Sequence, residues 1–135
     1  MPGETDLQKL LASMSPELSP GVFVFATLPP ETPMPAGTDP IMFFREREGD
    51  TLILPEEEAR AAGLPSAFPS RMITLNVHSS LDAIGFLAAI TARLAAASMG
   101  VNPVSGYFHD HLFVPVDRAD EAMAILEDIV TENRD

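Results

Sequence analysis

RMITLNVHSSLDAIGFLAAI, residues 71–90, changes its periodicity halfway along. Over RMITLNV (71–77), Ile73, Leu75 and Val77 alternate with Thr74 and Asn76, which predicts a strand with one apolar face. From residue 83 to about 98, Phe86, Leu87, Ile90 and Leu94 recur at three- and four-residue spacing, which predicts an amphipathic helix stopped by Gly100. The joint between them holds His78, Ser79, Ser80, Asp82 and Gly85. Ser79-Ser80-Leu81-Asp82 has the form of a capping box, a hydroxyl and an acid each meeting a free backbone N–H. The same joint also carries the exposed N–H groups and partial positive charge of a helix start, which bind carboxylates, and Gly85 allows a close approach. On these residues alone, both a structural cap and a small-molecule site stand open.

Working outward, VNPVSGYF (101–108) and HLFVPV (111–116) form a hairpin around His109-Asp110. Asp117 is placed to cap a last helix, whose buried stripe is Ala119, Ala122, Met123, Leu126, Ile129 and Val130. The order βαββα is one strand short of the ferredoxin-like βαββαβ sandwich. The fold class is therefore α+β, with antiparallel sheets and helices packed on one face. The missing strand is expected from the first half, with GVFVFATL (21–28) as the candidate. Two halves follow, 1–70 and 71–135, closely packed and interdependent.

The first half is built differently, for it holds 11 of the 13 prolines. Leu7, Leu10 and Leu11 predict a short opening helix that SPELSPG stops. In GVFVFATL, Val22, Val24 and Ala26 alternate with Phe23, Phe25 and Thr27, a pattern expected of a strand buried on both sides. LPPETPMPAGTDP (28–40) reads as a proline-stiffened loop. IMFFRERE and TLILP flank a turn at Gly49-Asp50, and PEEEARAAGL follows as a short helix started by Pro55 and stopped by Gly63. No repeat is evident by direct inspection.

Composition narrows the function classes. A formal charge of -12 with no cluster of Lys or Arg disfavours nucleic acid and an anionic membrane surface, since both attract positive patches. Cysteine is absent, so thiolate catalysis, disulfides and Cys-ligated zinc are excluded and a reducing compartment fits. MPGETDLQKLLASM has neither the basic start nor the apolar run of a signal peptide, and a cytoplasmic location is expected.

A strand ending in a short Leu-Asp-x-x-Gly loop, followed by a helix and a strand pair, resembles the ACT domain, the small amino-acid-sensing module of metabolic regulators. RMITLNVHSSLDAIGFLAAITARLAAASMGVNPVSGYFHDHLFVPVDRADEAMAIL is similar to tandem ACT-like proteins: an uncharacterised bacterial family, the regulatory region of aspartate kinases and the animal cytosolic arginine sensors. GVFVFATLP and EGDTLILPEEEA resemble the N-terminal half of the bacterial family. The resemblance implies ACT-like units and a ligand whose amino and carboxyl groups are held by backbone at Asp82, Ala83, Ile84, Gly85 and Phe86. It implies an interface strand at Val101, Asn102, Pro103, Val104 and Ser105, and a turn acid, Asp110, facing a basic ligand group or shaping the turn. Pro103 is a departure, because it removes a backbone donor from a strand through which such domains pair edge to edge. The implied function is a regulatory amino-acid or small-metabolite sensor, homodimeric, without catalytic activity or cofactor, acting on a separate partner protein.

Other constellations compete. His109 and His111 share a face on an extended strand, and with His78 they could form a three-His metal site, although locally bonded turn histidines are the simpler reading. His78 with Asp82 or Asp110 is the acid–base pair an enzyme would use. Glu56, Glu57 and Glu58 read as a solvated helix start favoured by the dipole rather than as an acidic catalytic cluster. Phe43 and Phe44, with Phe23 and Phe25, either line an aromatic pocket or pack as core, and core is the simpler reading. Tyr107 is either a buried strand residue or a ligand contact, and an ACT-like surface that associates without ligand is a further alternative.

Overall fold

A computed structural model describes residue 3 and residues 5–134; Met1 and Asp135, the outer limits of the two expected halves, lie outside the described residues. The elements in chain order are α1 (Leu7–Ser13), β1 (Ser15–Leu18), β2 (Phe23–Leu28), β3 (Met42–Arg45), β4 (Asp50–Pro55), α2 (Glu56–Ala61), β5 (Ser66–Asn76), α3 (Phe86–Ala96), β6 (Asn102–Ser105), β7 (Asp110–Pro115) and α4 (Ala119–Asn133). The class is α+β, and every strand pair with a resolved register is antiparallel. None of the described helices is long and apolar enough to cross a membrane.

Two compact units emerge: the described parts of 1–20 and 71–135, and residues 21–70. In the first unit β5, through residues 73–76, pairs with β1, and the order continues to β7 and β6. The strand that supplements the βαββα segment is thus β1, from the SPEL sequence expected only to stop α1. GVFVFATL, the expected candidate, pairs instead with β4 and with residues 66–70. With two prolines, SPELSPG (15–21) has the composition of a breaker. Yet Pro16 occupies an edge strand, where a missing N–H is tolerated.

Ile73 and Leu75 of β5 and Leu112 and Val114 of β7 supply the sheet side of this unit's core. Against them pack Leu10, Leu11 and Met14, then Phe86, Ile90 and Leu94 of α3, then Ala122, Leu126 and Ile129 of α4. The stripe expected for α4 is buried, with Met123 partly so. Its start differs: residues 116–118 form a single 3₁₀ turn, and Asp117 makes no side-chain cap. α3 ends at Ala96 because Ser98 takes the left-handed conformation (φ 57°) and Met99 N–H bonds to Leu94 O at 3.1 Å. Gly100 is not the residue that turns the chain.

In the unit formed by residues 21–70 the order is β3-β4-β2-β5, with Val24, Ala26, Leu28, Leu52, Leu54 and Ala59 as core. Only one face of β2 is fully buried; Phe23 and Phe25 are half-exposed. Phe43 and Phe44 on the edge strand β3 are exposed rather than core, at 43% and 64%. α2 begins after Pro55 and stops at Gly63 (φ 67°), as its sequence predicts.

A repeat not evident by direct inspection is plain in the registers, and identities at a 60-residue offset carry it, Asp50 with Asp110, Leu52 with Leu112 and Pro55 with Pro115. Arg45 faces Asp50 and Phe43 faces Leu52; sixty residues further on, Ser105 faces Asp110 and Pro103 faces Leu112. The turns match as well, with Glu46 N–H donating to Gly49 O and Gly106 N–H to His109 O. Burial along β4 and β7 follows the same sequence of positions.

Candidate functional site

The joint between β5 and α3 is not a capping box. Ser80 closes a turn of its own, its hydroxyl accepting from Asp82 N–H at 3.0 Å and its carbonyl from Ala83 N–H at 3.0 Å. The chain then needs a sharp change of direction, which Gly85 supplies at φ 90°, a region that penalises any residue with a Cβ. The first bond of α3 runs from Ala89 N–H to Gly85 O at 2.9 Å. Gly85 is the N-cap and offers no side chain, so Phe86, Leu87 and Ala88 lead the helix with N–H groups that have no partner within it.

These three residues line a cavity of about 210 Å³ together with Ser79, Ser80, Leu81, Ala83, Gly85, Ser105, Gly106 and Asp110. Asp110 is the first residue of β7, 8% exposed, and accepts a long hydrogen bond from Ser79 Oγ at 3.4 Å. A helix start carrying partial positive charge therefore stands in one cavity with a buried carboxylate. That pairing complements a ligand bearing both an anionic and a cationic group.

Of the residues expected at the site, Ala83, Gly85, Phe86, Ser105 and Asp110 line this cavity. Ile84 points away, 87% exposed. Asp82 lines a separate pocket of about 180 Å³ with His78, Tyr107 and Gly3. Asn102, Pro103 and Val104 belong to β6 outside the cavity, and Val101 packs partly buried against the core. Leu87, Ala88 and Gly106 line the cavity without having been singled out from sequence. The first two follow once α3 starts at residue 86 instead of 83.

The histidines are held locally. His111 Nδ1 lies 3.0 Å from Thr74 Oγ1, and His109 Nδ1 lies 3.4 Å from the Val77 carbonyl. Burial, reinforced by the neighbouring His109, pushes the His111 pKa below the ordinary imidazole value, with Asp110 acting weakly in the opposite direction. His78 rests against Phe108, ring centroids 6.0 Å apart. Among the described residues His78 has no hydrogen bond to a carboxylate, and no three His, Asp or Glu side chains are grouped to hold a metal. Tyr107 is 67% exposed in the β6–β7 turn, edge-on to Phe108.

The architecture and this helix-start cavity define a class, the small α+β modules built on βαββα units. Residues 2–71 match one ACT domain and residues 67–128 a second, and the chain belongs to the ACT-domain family. It is similar, at 41% identity, to a protein of unknown function from Vibrio cholerae described as a possible transport protein, over 92% of this chain and 95% of that one, with a TM-score of 0.80. A protein from Agrobacterium tumefaciens shares the fold at 16% identity, with coverage of 87% and 89% and a TM-score of 0.74. So does the ligand-free regulatory subunit of aspartate kinase from Thermus thermophilus, at 10% identity, coverage of 88% and 97%, and a TM-score of 0.65. No curated protein matches by sequence.

Proposed function

We propose that the chain is a regulatory, non-catalytic protein that binds an amino acid or a similar small zwitterion in the cavity between the α3 start and Asp110. One observation carries this reading: the leading N–H groups of α3 are left without a side-chain cap beside a carboxylate that is 8% exposed. The ligand carboxylate takes the place of the missing cap, and its ammonium group faces Asp110. The cavity, about 210 Å³, suits a small amino acid rather than a nucleotide. The protein acts in the cytoplasm as a homodimer, with occupancy read by a separate partner protein. Such coupling requires that the ligand bind the two states of the assembly unequally.

The test is a thermal-unfolding screen against the common amino acids, each variant compared with its own unliganded midpoint. A ligand at 100 times its dissociation constant adds about 2.7 kcal/mol. Gly85→Val should abolish the response. Gly63→Val, also at a positive φ (67°) but not among the residues that line the cavity, should keep it. A full response in Gly85→Val, or none in the wild-type protein, overturns the assignment.

A second reading draws on the exposed Leu81, Ile84, Tyr107 and Phe108, which surround the same loops. Under it the loops form a ligand-free association surface, and the screen shows no shift while Ile84→Ser weakens self-association in sedimentation.

A further inference from the structure

The unit formed by residues 21–70 has its own cavity, of about 630 Å³, lined by Asp50, Arg45, Glu46, Glu31, Phe43 and Met34, together with the proline-stiffened loop. We propose that it is a second binding site, independent of the α3 cavity, that holds a small molecule through a primary ammonium group. Asp50 is the anchor. It opens β4 and is 5% exposed, yet among the described residues its carboxylate has neither a hydrogen bond nor an ion pair. The carboxylate is largely shielded and keeps only a narrow contact with solvent, so its acceptor capacity is open to a ligand, and an ammonium group supplies up to three donors and the opposite charge.

The surroundings favour a cation. Three carboxylates, Asp50, Glu46 and Glu31, share the lining with one guanidinium. Arg45 stands opposite Asp50 in the strand register but makes no ion pair with it; its guanidinium lies 5.7 Å from the centre of the Phe43 ring. It is free to receive a ligand carboxylate, while Phe43 and Met34 offer an apolar wall. The anchor is fixed from behind: a Cβ on Gly49 would stand 2.6 Å from the Leu28 carbonyl oxygen, so only glycine fits where the turn crosses the end of β2. Thr51 Oγ1 donates to Glu46 Oε1 and orients that acid. At the same register sixty residues further on, Ser105 and Gly106 replace Arg45 and Glu46, and Ser79 partly answers Asp110. The two cavities are built alike but charged differently.

The experiment is a backbone-amide NMR titration of the full chain with L-lysine, 1,4-diaminobutane and, as the uncharged probe, 1-butanol at millimolar concentration. Both ammonium probes should shift the amides of residues 31–34 and 43–50, and 1-butanol should not. Asp50→Asn should weaken binding about 10- to 100-fold, the worth of a charge-assisted hydrogen bond. Absence of shifts in that segment with either ammonium probe, equal shifts with 1-butanol, or unchanged affinity in a folded Asp50→Asn protein overturns the site. Should Asp50→Asn not fold, the wild-type shift map decides on its own. Arg45→Gln separates the sources: weaker lysine binding with unchanged diaminobutane binding identifies an amino acid, and equal retention of both identifies an amine.

Discussion

His111 shows how one residue ties burial to a measurable pH response. Its ring sits in β7 against Thr74, and burial, with His109 nearby, holds its folded-state pKa below the unfolded value. The folded protein therefore binds this proton more weakly than the unfolded chain does. Its contribution is fully present above the unfolded pKa of about 6.5, and is lost as pH falls through that value toward the folded pKa. Thermal midpoints should drop between pH 7 and pH 5, and His111→Gln, which keeps a partner for Thr74, should flatten that slope. An unchanged slope would place the acid sensitivity elsewhere. Asp110 next to it was legible as a turn acid from sequence, but its burial was not, because burial is decided by the chain that folds over the turn.

At the scale of elements, α3 makes the clearest division between structural and exposed positions. Ile90 is 0% exposed among residues of β5, β7 and α4, so Ile90→Ala should cost about 2–5 kcal/mol in denaturant unfolding. Ile84, just ahead of the Gly85 cap and 87% exposed, should tolerate Ser within about 0.5 kcal/mol. Equal costs would mean that the loop packs in solution as the helix does. The period of Phe86, Ile90 and Leu94 made this helix readable, and the alternation of Ile73 and Leu75 did the same for β5. The helix start was misplaced by three residues because Ser79-Ser80-Leu81-Asp82 imitates a cap, whereas the left-handed Gly85 decides where helical geometry can begin. β1 was missed because a four-residue edge strand containing proline carries almost no periodic signal. Phe43 and Phe44 misled for the opposite reason: strong β formers occupy an edge strand with both side chains exposed.

At the scale of the whole molecule, the two ACT matches divide the chain near residue 70, whereas compact packing sends residues 1–20 to the unit of 71–135. The difference has a physical origin. In the βαββα segment β5 lies at one edge of the strand order β5-β7-β6, and an open edge with apolar neighbours is a liability unless another strand covers it. β1 covers residues 73–76, and α1 brings Leu10, Leu11 and Met14, at 0%, 6% and 2% exposure, into the same core. Gln8 Nε2 reaches the Asn133 carbonyl at 3.3 Å, tying α1 to the end of α4. Residues 71–135 alone would therefore expose the apolar surface that these three side chains cover and leave an unpaired strand. Loss of three such side chains, at about 2 kcal/mol or more each, rivals the total stability of about 5–15 kcal/mol expected of a domain. The fragment 71–135 should accordingly be unfolded or aggregated by circular dichroism, and a synthetic peptide of residues 1–20 added in trans should restore helical signal in a saturable way. A fragment 71–135 that folds cooperatively by itself would show that β1 and α1 merely decorate a self-sufficient unit. The same peptide carrying Leu10→Asp should fail to rescue, which separates core packing from strand pairing as the source of the dependence.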